Sequence, residues 1–267
     1  MSIGNRWFHG LKSSHNPTVR LFCFPYAGGG ASAFHPWLHQ FPSDIEISAV
    51  QLPGRENRMV EEPFLNMSSL VDAVTEALLP HIYTRYAFFG HSMGALISYE
   101  VARRLRLMGK DGPSILIASA CRAPHLPREG KATYTMSDAE LIDELKMWKG
   151  TPNAVLENFE LMQLLLPIVR ADLKVIETYV YTEQEAVLLD CPIAVFGGCE
   201  DRYVQRDELD AWRSQTLRGF SCRIMDGNHF FPFTSSEKMI PLIVASVRSA
   251  DRQRVPLSDV EERSFSP

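Results

Sequence analysis

The chain has 267 residues, 45% of them apolar and 22% charged, with a formal charge of −5. That is enough for one large domain with a well-buried core, or for one domain carrying a sizeable insertion. The acidic balance argues against nucleic acid as the main partner, since phosphate-binding proteins present a basic face. No apolar run reaches the roughly 20 residues of a membrane span.

In chain order, residues 1–18 read as a variable, polar and loose segment without the apolar core of a secretory signal, although Trp7 and Phe8 are available to dock on the body. "VRLFCFPYAGG" from Val19 then switches to a β-branched and aromatic run that ends at Pro25 and three glycines, a strand delivering a loop. Ile45–Val50 repeats the form before a Pro-Gly break. Leu70, Val74, Ala77 and Leu78 fall on one stripe of a helix expected over Ser68–His81, with Ser68 or Ser69 as its cap. Tyr86–Phe89 reads as a buried strand and Met93–Met108 as the helix behind it. Further strands are expected at 114–120, 193–198 and 220–227, and a closing helix over "EKMIPLIVASVRSA" despite Pro241.

Solidly apolar strands separated by helical patterns imply α/β architecture, a mostly parallel sheet with helices on both faces. The rhythm breaks at 121–190, which holds helical patterns and no convincing strand. "SDAELIDELKMW", capped by Ser137 or Asp138, and "NFELMQLLLPIVRADLKVIETY" are the clearest. The interval is about twice a normal crossover unit and reads as a helical insertion between core segments 19–120 and 191–252, with a polar tail at 253–267. The five cysteines form no C-x-x-C pair. Reduced thiols in a cytoplasmic protein are expected, and no Cys/His cluster suits a metal.

Between the strand and helix around residue 90 lies G-H-S-M-G, a match to G-x-S-x-G in the strand–turn–helix setting that motif requires. A sharp turn there holds the Ser92 hydroxyl outward, and the helix start offers unpaired N–H groups to developing negative charge. A serine needs a base. Among eight histidines, His229 follows the last strand and satisfies the order serine, acid, histidine; His125 is the alternative, and His91 supports the turn or lines its rim. Asp201, just past the strand at 193–198, is the expected acid, to hold the imidazole in its tautomer; Glu200 and Asp226 are its rivals. The Met93 N–H supplies one oxyanion donor, and the loop "FPYAGGG" the other, from Ala27 first or Gly28 next. No phosphate-loop or dinucleotide glycine pattern is present.

Taken together, "FPYAGG" (24–29), "QLPGRENR" (51–58), "FFGHSMGALISYEVARRL" (88–105), "GGCED" (197–201) and "GNHFF" (227–231) resemble the stand-alone type II thioesterases, α/β-hydrolases that accompany polyketide synthases and nonribosomal peptide synthetases. The resemblance spans about residues 19–250. It implies Ser92, Asp201 and His229 as nucleophile, acid and base, Met93 and Ala27 as oxyanion donors, and the insertion as a mobile lid over an acyl channel. A monomeric enzyme with no cofactor of its own is expected. By the resemblance, its substrates are acyl groups carried on the phosphopantetheine of acyl or peptidyl carrier proteins, from which it removes stalled or aberrant units. On the residues alone, a carboxylester hydrolase or a medium-chain fatty acyl thioesterase stays open, as do an acyltransferase and a noncatalytic binding module. The helix run "ARRLRLMGK" offers cations for an acidic carrier or for solvation alone.

Overall fold

The computed structural model describes residues 6–12, 17–128, 130, 132–182 and 187–253. The polar tail expected at 253–267 lies, but for its first residue, outside the described residues, as do residues 1–5 and 13–16 of the N-terminal segment. Among the described residues, seven strands form one sheet: β1 (Phe8–Lys12), β2 (Val19–Phe24), β3 (Ile45–Val50), β4 (Tyr86–His91), β5 (Leu116–Ser119), β6 (Ile193–Gly198) and β7 (Phe220–Met225). Their spatial order is β1-β3-β2-β4-β5-β6-β7, and every pairing is parallel except that of β1 with β3.

β1 corrects the reading of residues 1–18 as loose. Its short sequence contains Gly10 and no alternation, so pattern alone does not mark it. It is held instead by the ladder to β3 and by Phe8, which meets Phe22 edge-on at 5.2 Å. The order reverses between β2 and β4: β3 lies on one side of β2 and β4 on the other. Loops leaving the carboxyl ends of β2 and β4 therefore diverge and leave a crevice, the usual ligand position in an open parallel sheet.

Alternation along β2 divides the core. Phe22 and Phe24 face the layer containing α1 (Met67–Leu78) and α2 (Met93–Leu107), while Val19, Leu21 and Cys23 face the layer containing α8 (Ser236–Gln253). The cap of α1 is Asn66, whose side chain accepts from the Ser69 N–H at 2.9 Å; the expected cap at Ser68 or Ser69 sits one turn too late. Both serines lie within the first turn, and asparagine caps as well as serine does.

Between β5 and β6 the chain forms α3 (Asp138–Trp148), α4 (Asn153–Leu156) and α5 (Phe159–Glu177). Ser137 caps α3 in a reciprocal box with Glu140, so of the two caps expected Ser137 is the one used. The helices share a small apolar cluster of Leu141, Leu145, Met162, Leu166, Val169 and Leu173. The far end of α5 joins the main core through Val175 and Ile176. After β6 come α6 (Arg206–Asp210) and, beyond β7, α7 (Phe231–Thr234). No described helix is long and apolar enough to cross a membrane.

The basic run on α2 is less available than its sequence suggests. Arg103 is buried and bonded to Glu100 at 2.7 Å, and Arg104 pairs with Asp72 at 2.9 Å.

Candidate active site

The turn from β4 into α2 places Ser92 at φ 53° and ψ −115°, a left-handed conformation that costs a non-glycine residue energy. Its N–H donates to the Ser119 carbonyl at 2.8 Å, its carbonyl accepts from Ala95 at 3.0 Å, and its own side chain caps nothing. The hydroxyl is left free at the crevice. Gly90 and Gly94 are required by proximity: a Cβ on Gly90 would run into the backbone of Gly94 and Ala95, and one on Gly94 into the Phe24 carbonyl. The α2 helix can thus begin hard against β2 and β4.

At the far end of the sheet, β6 delivers Asp201 and the turn after β7 delivers His229. Gly198 permits their approach, since a Cβ there would lie 2.5 Å from the Gly227 carbonyl. The Glu200 N–H ties the two loops by donating to that same carbonyl at 3.0 Å. Asp201 is fully enclosed: Oδ1 accepts from the Tyr203 N–H at 2.9 Å and Oδ2 from His229 Nδ1 at 2.8 Å. A carboxylate accepts only, so Nδ1 carries the proton and Nε2 is left as the acceptor. His229 and Ser92 line one cavity of about 370 Å³, together with Ala27, Met93, Tyr26, Trp148, Tyr203 and Arg128.

The rival residues lie elsewhere. His125 is bonded through Nδ1 to Gln215 at 2.8 Å and packs edge-on to Tyr181, a structural position. Asp226 is exposed beside Lys238, and Glu200 is exposed. The Gly28 N–H is taken by Asp172 Oδ2 at 2.7 Å, and of Ala27 and Gly28 only Ala27 lines the cavity. Cys121 also lines the cavity, but burial pushes its thiol up to about 11, so it holds little thiolate near neutrality. Cys23, Cys121 and Cys191 are buried, Cys199 is exposed, and all five cysteines are free.

His91 sits under the turn, fully buried, with Nδ1 3.1 Å from Ser119 Oγ and Nε2 without a partner. Its ring lies 5.2 Å from that of His229, inside a collar of Tyr26, Phe230 and Phe233. Burial first, and then the neighbouring His229, drive its titration well below the ordinary histidine value, so His91 stays neutral and packs like an aromatic residue.

Sequence reasoning missed three contributors. Tyr203 braces Asp201 through its N–H and meets both His229 and Trp148 edge-on. Arg128 brings a cation to the cavity wall. Asp172 was signalled only by a carboxylate on the buried stripe Val169, Leu173 and Ile176 of α5.

Known proteins resemble this chain over most of its length. A family model described as a thioesterase domain matches residues 19–247. The gramicidin S biosynthesis protein GrsT of Aneurinibacillus migulanus is 43% identical over 244 residues, 91% of this chain and 94% of that one. The human medium-chain S-acyl fatty acid synthase thioesterase is 32% identical over 242 residues, 87% of this chain and 88% of that one. Among solved structures, the type II thioesterase BorB from the borrelidin biosynthetic cluster superposes with a TM-score of 0.83 at 32% identity, covering 90% of this chain and 97% of its own.

Proposed function

The chain belongs to the thioesterase family and is an α/β-hydrolase acting on thioesters; from that premise we propose that it edits carrier proteins of a peptide or polyketide synthase, hydrolysing acyl groups from their phosphopantetheine arms. One observation carries the mechanistic part: a buried carboxylate holds His229 by Nδ1 on the wall of the cavity into which the glycine-flanked Ser92 opens. The likeness to a gramicidin S biosynthesis protein and to a type II thioesterase of the borrelidin biosynthetic cluster supports the choice of substrate.

In this reading Ser92 Oγ attacks the thioester carbonyl while His229 Nε2 takes its proton. The Met93 and Ala27 amides receive the oxyanion. Collapse breaks the C–S bond, and the imidazolium returns its proton to the departing thiolate. That leaving group is a good one, because a thiol ionises near pH 8.5. His229 then takes a proton from water, whose oxygen attacks the acyl-serine, and the acid leaves as Ser92 regains its proton. Asp201 fixes the tautomer and balances the imidazolium. Side chains and backbone suffice, with no cofactor beyond the substrate's own arm.

The helices between β5 and β6 act as the lid. Trp148 at the end of α3 roofs the cavity over Tyr203, and Gly150 lets the next turn close on Phe230, where a Cβ would strike the ring. The human relative keeps a second reading in view, release of medium-chain fatty acids. Hydrolysis of short acyl, aminoacyl and medium-chain groups on carrier protein, on coenzyme A and as p-nitrophenyl esters separates these. We expect carrier-bound short acyl groups to give the highest kcat/KM, and none to be turned over by Ser92→Ala. Preference for the simple ester would overturn the editing role, and preference for medium chains would favour the second reading.

A further inference from the structure

The stripe by which α5 packs is interrupted by Asp172, whose side chain, like that of Arg55, is 4% exposed. Removing a carboxylate from water to that extent is costly unless its oxygens are bonded. Arg55 Nη1 donates to Oδ2 at 2.6 Å and Nη2 to Oδ1 at 2.8 Å, a two-pronged pair, and the Gly28 N–H adds the third bond at 2.7 Å. The same guanidinium donates to the Gly29 carbonyl at 3.0 Å and to the Pro53 carbonyl at 3.2 Å. One residue of the loop after β2 is therefore held by the carboxylate and the next by its partner cation.

That loop is a turn in which the Gly29 N–H donates to the Tyr26 carbonyl at 2.9 Å and Gly28 has φ 78°. This is the type II form, with Ala27 and Gly28 as its central residues, and it differs from type I by rotation of the peptide between them. A carboxylate accepting the Gly28 N–H fixes that rotation and so the turn type. The Ala27 N–H lies in the preceding peptide, whose Tyr26 carbonyl accepts the turn bond from Gly29. It is held through closure of the turn, with Gly28 bonded to Asp172 and Gly29 to Arg55. Val169 of α5 closes the space behind, since a Cβ on Gly28 would come within 2.8 Å of its Cγ2. Neither Arg55 nor Asp172 lines the cavity.

We infer that the Arg55–Asp172 pair, one partner from the segment after β3 and the other from α5, is a positioning device that holds the Ala27 amide in the orientation an oxyanion needs. The inference rests on the function proposed above. Stability alone is a poor account of the pair, because apolar residues of similar volume commonly replace a buried ion pair at little cost. What an apolar pair cannot do is accept from Gly28 and donate to Gly29. The middle of α5 is thereby fixed to the chemistry, and opening of the lid falls to α3 and α4.

The test compares Arg55→Met/Asp172→Leu with Asp172→Asn, measuring Tm together with kcat and KM on an acyl-carrier thioester, beside wild type and Ser92→Ala. The apolar pair is expected to keep Tm within a few degrees of wild type and KM within about twofold while kcat falls about 10²-fold, the usual effect of a misplaced catalytic donor. Asp172→Asn retains an acceptor for Gly28 but strands the Arg55 charge. It is expected to lower Tm markedly yet keep kcat within about fivefold, assayed well below its transition. Recovery of kcat together with Tm in the double variant would overturn the inference. If the double variant does not fold, the asparagine variant decides: a kcat that falls in step with its Tm has the same consequence. Activity surviving Ser92→Ala would instead bring down the functional reading, and this inference with it.

Discussion

The rim of the sheet and the helices above it are built on different principles. At the rim, Ser92, Asp201 and His229 leave strand ends through turns fixed by backbone contact. Gly90, Gly94 and Gly198 sit where any side chain would collide with main chain. Above the cavity, α3 is held through a small cluster shared with α5, while Met147, Phe159 and Leu164 stand exposed. Close backbone packing permits one arrangement. A small apolar cluster over a cavity permits several, and regions with few buried contacts open at low free energy. The rim is therefore suited to fixing reacting atoms and the α3–α4 layer to admitting varied acyl groups, with Asp172 the point at which the two are bonded together.

Four outcomes would break or sharpen that contrast. Ser92→Ala is expected to reduce kcat/KM by about 10⁴-fold or more, because the members of a triad act as a unit, with Tm little changed, since alanine keeps the Cβ and with it the backbone strain at φ 53°. Asp201→Asn preserves shape but no longer demands a proton on Nδ1, and kcat should fall by about 10⁴-fold; a small loss would mean that the rim tolerates disorder. Trp148→Ala, in the roof, should change kcat/KM by only about 10-fold and alter the ranking of acyl chain lengths while Tm moves little. A loss as large as that at the rim would erase the distinction between the two regions.

The smallest effect concerns His91 beneath the turn. Its titration is depressed from 6.5 in the folded protein, so as pH falls the unfolded chain takes up the proton first. Its contribution to stability is thus present above about pH 6.5 and is lost on acidification below it, at up to about 1.4 kcal/mol per pH unit. Chemical denaturation from pH 7 downward should show a shallower decline for His91→Gln than for wild type. Equal slopes would contradict the neutral, packed role assigned to this ring.

The same contrast explains what was readable in the sequence. The turn at Ser92 is legible because backbone crowding leaves glycine as the residue that fits on either side, and the strand bounds at Ile45–Val50 and Ile193–Gly198 are legible because buried runs end abruptly there. Asp201 and His229 followed from their places after strands. β1 escaped because its order comes from the β3 ladder and the contact of Phe8 with Phe22. Arg55 and Asp172, 117 positions apart, left only an acid on an apolar stripe. Tyr203 left nothing, since its contribution to Asp201 is a backbone N–H.

The central claim is tested most directly by a fluorophosphonate reagent, which phosphonylates a serine only where base and oxyanion donors converge on it. The account predicts one phosphonyl group, located on Ser92 by peptide mass spectrometry. Loss of acyl-carrier hydrolysis should be proportional to the labelled fraction, and His229→Ala should label far more slowly. Full labelling with hydrolysis intact, or modification at another residue such as Cys121, would contradict it.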